Sequence, residues 1–127
     1  MSRIVLDSSA VIALVNGEPG GDLVRANLAE AVICAVNVAE IVGRLMRKGE
    51  SIEAVRRLLA TLDFDIADFD SDLALNTGAL IVDTSKAGLS LGDRACLAVA
   101  ARYGLPVMTA DRSWANLNVG VAVQLIR

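Results

Sequence analysis

The chain contains no histidine, and this absence excludes several common catalytic centres. Without an imidazole there is no Ser-His-Asp or Cys-His nucleophile, and no histidine-ligated zinc site. The only two cysteines, Cys34 and Cys96, lie in apolar runs without the spacing of zinc ligands. We therefore expect both to be buried, reduced thiols. Any metal chemistry in this chain would depend on oxygen ligands.

Basic charge and aromatic residues are also scarce. The chain has 12 Lys and Arg residues against 15 Asp and Glu residues, a formal net charge of −3, and only 3% aromatic residues. This composition excludes a general basic patch for nucleic acid and an aromatic platform on which single strands could stack. A polyanionic substrate would need another attraction, which a bound metal ion could supply.

Long apolar runs are missing as well, although 54% of the residues are hydrophobic. No run approaches the roughly 18–20 residues that span a bilayer. Asp7 interrupts the first apolar segment, so neither a membrane contact nor a signal peptide is predicted. We expect one domain over residues 1–127, located in the cytoplasm. The excess of apolar residues is interpreted as a sheet covered on both faces, together with a contact surface for another protein chain.

Short β-rich segments alternate with helical segments along the chain. The apolar periodicity and the turn residues predict strands at 3–7, 31–36, 63–69, 105–111 and 121–126. Helices are predicted from Ser8 or Ser9, within 18–29, and at 37–49, 51–62, 71–88 and 90–104. This alternation indicates an α/β protein of three layers, α/β/α, around a central, mostly parallel sheet of four to five strands.

Four acidic residues fall at junctions between strands and helices. Asp7 and Asp111 end apolar strands, whereas Glu40 and Asp93 lie in the first turn of a helix. Ligands of parallel α/β sheets bind beyond the carboxyl ends of the strands, so these carboxylates are expected to converge. Carboxylates that converge repel one another unless a cation is present, and Mg²⁺ or Mn²⁺ suits such oxygen ligands. Alternatively, three of the acids simply cap helices and Glu40 lies on a solvated face.

Four segments around these acids, "IVLDSSAVIAL", "NVAEIVGRL", "LSLGDRACLAVA" and "PVMTADRSW", resemble the signature segments of PIN-domain nucleases, specifically the VapC-type toxins of toxin–antitoxin pairs. The resemblance implies a PIN-like fold and a Mg²⁺- or Mn²⁺-dependent endoribonuclease. It implies that the catalytic residues, which also hold the metal ion, are Asp7, Glu40, Asp93 and Asp111. It further implies a homodimer and a cognate antitoxin protein that obstructs the site.

Other residues receive roles from the same resemblance. Ser9 and Thr109 match polar positions near the first and fourth acids, where they would orient ligands or waters. Asn37 stands where a Ser or Thr often precedes the glutamate, and Ser113 stands where some relatives carry a further acid; both departures bear on the number of bound metal ions. The single tryptophan, Trp114, is interpreted as a packing residue.

The candidates for contacts with RNA phosphates are basic residues near the four acids. Three share the side of the helix that carries Glu40, and two directly follow an acid of the site. The alternative is a solvated basic face that stabilises the helix C-terminus. The five candidates are Arg44, Arg47, Lys48, Arg94 and Arg112.

Two other functions remain open from the sequence. One is a catalytically silent interaction module on a PIN scaffold. The other is a metal-dependent phosphatase of the haloacid-dehalogenase type, although that family carries a second Asp two residues after the first, where this chain has Ser9. The antitoxin is expected on the apolar faces of the early helices, between roughly residues 10 and 60, which would receive a helix of the partner.

Overall fold

The computed structural model describes residues 3–127 and is built around one parallel sheet. Its five strands lie in the order β3-β2-β1-β4-β5, and every neighbouring pair is parallel. The first strand of the chain is therefore the central one, and the predicted parallel sheet is confirmed. The strands are β1 (Ile4–Leu6), β2 (Ala31–Cys34), β3 (Asp65–Ala67), β4 (Val107–Thr109) and β5 (Val123–Leu125).

Helices cover both faces of this sheet. The α-helices are α1 (Ser8–Val15), α2 (Gly21–Ala26), α3 (Ala35–Arg47), α4 (Ile52–Ala60), α5 (Ser71–Ala79), α6 (Ile81–Thr84) and α7 (Leu91–Tyr103). Short 3₁₀ turns occupy Leu28–Glu30, Ser85–Ala87 and Arg112–Asn116.

The core has two halves, one on each face of the sheet. Along β1, Ile4 and Leu6 point into the half that α1, α3 and α4 cover, and Val5 points into the half that α7 covers. Successive side chains of a strand alternate between the two faces, so a strand covered on both sides is apolar throughout. The three-layer α/β/α architecture is confirmed.

Most observed strands and helices are a few residues shorter than predicted, and two segments differ more than this. Helix α3 begins at Ala35, within the segment predicted as strand, because β2 makes its last pairing, with Ala67 of β3, at Cys34. The segment 71–88 is divided into α5, α6 and a 3₁₀ turn instead of one helix. Its second half contains β-branched residues, which are weak helix formers. Gly88, at a φ of 68°, ends the last turn.

Several side chains lie as the sequence predicts. Trp114 is fully buried in the core, in agreement with a packing role. Cys34 and Cys96 are buried and free, and burial raises the pKa of both thiols. Within residues 3–127, none of the helices combines the length and the apolar character needed to cross a membrane.

Candidate active site

Asp7 directly follows the central strand and is buried, with 3% of its surface exposed. Its Oδ1 accepts hydrogen bonds from the Ala10 amide at 2.9 Å and from the Ser9 hydroxyl at 2.7 Å. Its Oδ2 accepts a bond of 2.8 Å from the Thr109 hydroxyl. Asp7 is therefore the N-cap of α1, as the capping interpretation predicts, and the same bonds fix its carboxylate at the carboxyl edge of the sheet.

The environment of Asp7 disfavours its charged form. Burial raises the pKa of Asp7 to about 6, although the bonds from Ser9, Ala10 and Thr109 act in the opposite direction. The charge of Asp93 adds to the increase. A buried carboxylate of this kind is stabilised in its ionised form by a nearby cation.

The hydroxyls of Ser9 and Thr109 connect the first and fourth acids. Besides its bond to Asp7, Thr109 Oγ1 accepts a bond of 3.0 Å from the Asp111 amide. Ser9 Oγ accepts a bond of 2.9 Å from the Ala110 amide and lies 3.3 Å from Thr109 Oγ1. These bonds join the start of α1 to the segment after β4, so both acids occupy neighbouring positions at the same edge.

Asp111 is exposed and caps the 3₁₀ turn Arg112–Asn116. Its Oδ1 accepts bonds from the Ser113 amide at 3.0 Å and from the Ser113 hydroxyl at 2.7 Å. Ser113, where some PIN proteins carry an acid, therefore orients Asp111 without adding negative charge.

Glu40 is half-buried on α3 and is held by two donors. Its Oε1 accepts bonds from the Ser8 hydroxyl at 2.6 Å and from the Asn37 amide group at 2.9 Å. The same Asn37 nitrogen donates to the Gly92 carbonyl at 3.0 Å. Glu40 thus faces α1 and α7, whereas the sequence pattern alone indicates a solvated position.

Asp93 lies half-buried in the first turn of α7 and forms a capping box with Ser90. The Asp93 amide donates to Ser90 Oγ at 3.1 Å, and the Ser90 amide donates to Asp93 Oδ2 at 2.9 Å. Burial raises the pKa of Asp93, and the charges of Glu40 and Asp111 raise it further, against the lowering effect of the Ser90 bonds. The acids are therefore close enough for mutual repulsion.

Three contributors to the site were not identified from the sequence. Ser8 and Asn37 donate to Glu40, and Gly92 leaves room for its carboxylate. Asn37 was noted only as a departure, although its position one helical turn before Glu40 predicts that the two side chains are neighbours. For Gly92 the signal is a glycine inside a helix, which calls for a packing reason because it costs stability.

Two of the basic candidates lie beside the acids. Arg44 and Arg47 are exposed and line an open groove of about 580 Å³ that Glu40 also lines. Lys48 lines a separate pocket, formed with the end of α1 and with α4.

The other two basic candidates differ in how strongly the protein constrains their side chains. Arg94 is half-buried, and its Nη1 donates to the Leu89 carbonyl at 2.9 Å. Arg112 is exposed at the start of the last 3₁₀ turn. Of this pair, Arg112 extends into solvent and Arg94 is bound to the backbone.

A divalent ion such as Mg²⁺ requires several oxygen ligands that reach it at once. As the side chains stand, no three His, Cys, Asp or Glu residues among the described residues 3–127 form a group that could hold an ion. The four acids nevertheless supply only hard carboxylate oxygens, which Mg²⁺ and Mn²⁺ prefer. Burial raises the pKa of Asp7 and of Asp93, the charges of neighbouring acids add a smaller increase, and a bound cation would offset both effects. The chemistry of the residues therefore fits such an ion.

The PIN domain family matches residues 4–119 of this chain. The chain belongs to the PIN domain family. The match includes all four segments that suggested the resemblance, which is thereby confirmed. Membership of this family also removes the haloacid-dehalogenase interpretation.

Similar solved structures agree with the PIN fold. A toxin–antitoxin complex from Klebsiella pneumoniae is 20% identical, covers 98% of each chain and has a TM-score of 0.75. DNA-bound VapBC from Salmonella typhimurium is 18% identical over 100% of both chains, with a TM-score of 0.71. VapC20 from Mycobacterium tuberculosis, described as a toxin that cleaves the sarcin–ricin loop, is 19% identical over 94% of this chain and 98% of its own, with a TM-score of 0.72. Comparison with curated proteins gave no match. At these identities the likeness concerns the fold.

Proposed function

We propose that this PIN domain protein is a VapC-type toxin, an endoribonuclease that depends on Mg²⁺ or Mn²⁺ and acts in the cytoplasm. The observation that carries the proposal is the position of Asp7, Glu40, Asp93 and Asp111 at the carboxyl edge of the sheet in a chain of this family. The charges of Glu40 and Asp111 add to the effect of burial in raising the pKa of Asp93, which supports the action of these acids as one group.

In this proposal Asp7 and Asp93 are the principal ligands of the metal ion, directly or through water, and Glu40 and Asp111 complete the set. A divalent ion in such a site lowers the pKa of a bound water and neutralises charge on the phosphate. Ser9 and Thr109 hold the Asp7 carboxylate in one orientation through the bonds described above. Such bonds to ligands normally contribute to metal affinity.

The proton of the attacking water passes to a carboxylate. Glu40 is suited to accept it because its Oε1 is held by Ser8 and Asn37, and Asp111 is the second candidate. Since the chain has no histidine to activate a ribose hydroxyl, we propose hydrolysis by water, which yields 5′-phosphate and 3′-hydroxyl ends. Recovery of a 2′,3′-cyclic phosphate would contradict this route.

The RNA backbone would be bound by the basic residues around the acids. Arg44 and Arg47 are the strongest candidates because they share a groove with Glu40. Arg112 follows because it is exposed beside Asp111. Lys48 and Arg94 would contribute less, since one lines another pocket and the other is bound to the backbone.

An antitoxin protein and a second copy of the chain are the proposed partners. The Klebsiella and Salmonella structures are described as toxin–antitoxin assemblies, which supports the first. The early helices expose apolar side chains, among them Leu23 and Met46, in the region where we expect the antitoxin. A homodimer is proposed on the family resemblance.

The test is to incubate the purified protein with total bacterial RNA and Mg²⁺, Mn²⁺ or EDTA, and to map new 5′ ends. Asp93→Asn is the matched variant, because an asparagine oxygen can still accept the bond from the Ser90 amide and preserve the N-terminus of α7. We expect discrete, metal-dependent ends that are absent with the variant. If folded wild-type protein produces no new ends, the silent interaction module is favoured instead.

A further inference from the structure

We propose that the groove between α3 and the first turn of α7 binds the base of an RNA nucleotide next to the scissile phosphate. This inference rests on the proposed ribonuclease function and specifies how the same site engages its substrate. The apolar part of the groove consists of Val36, Ala39 and Gly43 on one side and Leu91 on the other. We refer below to the whole groove, which Glu40, Arg44, Arg47 and Gly92 also line, as the base groove.

The base groove is continuous with the acidic site. Glu40 lines the groove and is also one of the four acids, and Gly92, which directly precedes Asp93, lines it as well. If one phosphate of an RNA strand lies at the four acids, a neighbouring nucleotide of the same RNA therefore lies in this groove. The groove has a volume of about 580 Å³ and is open to solvent along its length.

The floor of the groove is apolar and shallow. Ala39 and Gly43 have small or absent side chains, and a Cβ at Gly43 would meet nothing within 4 Å. Leu91 is 60% exposed, which leaves apolar surface beside the acids. A planar base covers such a surface without displacing protein atoms, and removing the apolar area from water favours binding.

Two arginines complete the groove with the charge that a polyanion requires. Within residues 3–127 the ion pairs of the basic residues involve Arg3, Arg102 and Arg127 only, so neither Arg44 nor Arg47 is neutralised by an acid. From the helical rise they lie about 6 Å and 10 Å beyond Glu40 along α3. Guanidinium groups bind phosphates and also stack on bases. A base held between an arginine and an aliphatic floor needs no aromatic platform, which this chain lacks.

The open space at Gly43 provides a direct test. Gly43→Leu places a side chain in the groove whose Cβ meets no protein atom within 4 Å, and the α-helix itself favours leucine over glycine. Gly78→Leu is the matched control, because Gly78 is also exposed inside a helix, has nothing within 4 Å of its Cβ position and does not line the groove. Both substitutions are made in an Asp93→Asn background so that bound RNA stays intact.

The measurement is binding of a pool of short single-stranded RNAs of random sequence, in competition with a ribose–phosphate oligomer of equal length that lacks bases. Both probes carry the same phosphates, so their difference reports contacts with bases. In the Asp93→Asn background we expect RNA to be preferred by roughly 5-fold, the lower end of the range for a base stacked on an aromatic ring, because the floor of this groove is aliphatic. Gly43→Leu should remove most of this preference, and Gly78→Leu should retain it.

Preference for RNA that persists in Gly43→Leu overturns the inference, whether or not the protein cleaves RNA. The proposed function fails separately if the wild-type chain generates no metal-dependent ends while the preference still depends on Gly43. If Gly43→Leu leaves the RNA preference intact but weakens inhibition by the antitoxin or the association of two copies, the groove is a protein-binding surface and the inference is also overturned.

Discussion

The Cα of Gly92 faces the Glu40 carboxylate so closely that a Cβ on this residue would overlap the carboxylate atoms. The contact explains a glycine in the first turn of a helix, where alanine would otherwise be more stable by about 1 kcal/mol. We predict that Gly92→Ala forces the Glu40 side chain away from Ser8 and Asn37. Cleavage should fall by roughly 10- to 100-fold, the range for loss of support to a metal site.

Gly92→Ala should also lose some stability, because two hydrogen bonds to a carboxylate, each worth about 1.5–3 kcal/mol, outweigh a gain in helix propensity of about 1 kcal/mol. Thermal unfolding and RNA cleavage measured on the same preparation separate the two effects. Gly78→Ala is the control, since its Cβ would lie in open space. Wild-type cleavage by Gly92→Ala would mean that the position of Glu40 is not important for activity.

A second prediction concerns the stability of the metal-free protein against pH. The pKa of Asp7 rises from its ordinary 3.8 to about 6 in the folded state, mainly through burial. Between these values the native state holds a proton that the unfolded chain has released, so the free energy of unfolding decreases as pH rises through this window. Above about pH 6 the loss is complete, and for a difference of this size it is roughly 3 kcal/mol.

Urea unfolding of chelator-treated protein at pH 4.5 and pH 7 measures the part of this loss that falls between the two pH values, about 2 kcal/mol. In Asp7→Asn the free energy of unfolding should depend much less on pH. The dependence that remains is due to Asp93, whose pKa is also raised. The assignment is contradicted if both proteins lose the same stability between the two pH values.

A third prediction concerns the hydroxyl of Thr109, which donates to Asp7 Oδ2 at 2.8 Å from a fully buried position. Thr109→Val keeps the shape but removes this bond and the acceptor for the Asp111 amide, at an expected cost of about 1–3 kcal/mol. Affinity for Mn²⁺ should fall by roughly 10- to 100-fold in calorimetric titrations. Thr109→Ser retains the hydroxyl and should restore most of the affinity. Equal affinity in the valine variant would exclude a positioning role.

The sequence predicted the layers of the fold because the relevant signals are local. Alternating apolar strands and amphipathic helices determine which faces are buried, and strand-to-helix junctions in a parallel sheet share one edge. Asp7 and Asp111 follow β1 and β4 at such junctions, so their neighbourhood could be inferred without coordinates, whereas Asp93 lies in the first turn of α7, which follows the 3₁₀ turn Ser85–Ala87. Their capping role and their proximity to one another are compatible, because the first turn of a helix is itself part of that edge.

The contacts of Glu40 could not be inferred in this way. Glu40 is joined to α1 by Ser8, which lies 32 positions before it. Its neighbour Asn37 is joined to α7 by the Gly92 carbonyl, which lies 55 positions after Asn37. Periodicity describes one helix at a time and predicts a solvated Glu40, whereas the packing of α3 against the first turns of α1 and α7 decides its exposure. The division of 71–88 into shorter helices has a similar origin, because helix propensity is weak and its boundaries depend on context.

The last prediction concerns the charge beside the site. If Arg44 contacts a phosphate, Arg44→Ala should lower the slope of log affinity against log salt concentration for single-stranded RNA by about one. Arg56 on α4 is the matched control, because it is also exposed on a helix and no ion pair within residues 3–127 includes it. Arg56→Ala should weaken binding only slightly and leave the slope unchanged, since Arg56 does not line the groove and an exposed charge that contacts no phosphate is screened. RNA binding by fluorescence anisotropy over a series of salt concentrations gives both slopes. Equal slopes in the two variants would mean that Arg44 contributes only to the general field of the protein, and the strand would then have to pass the acids on the side of Arg112.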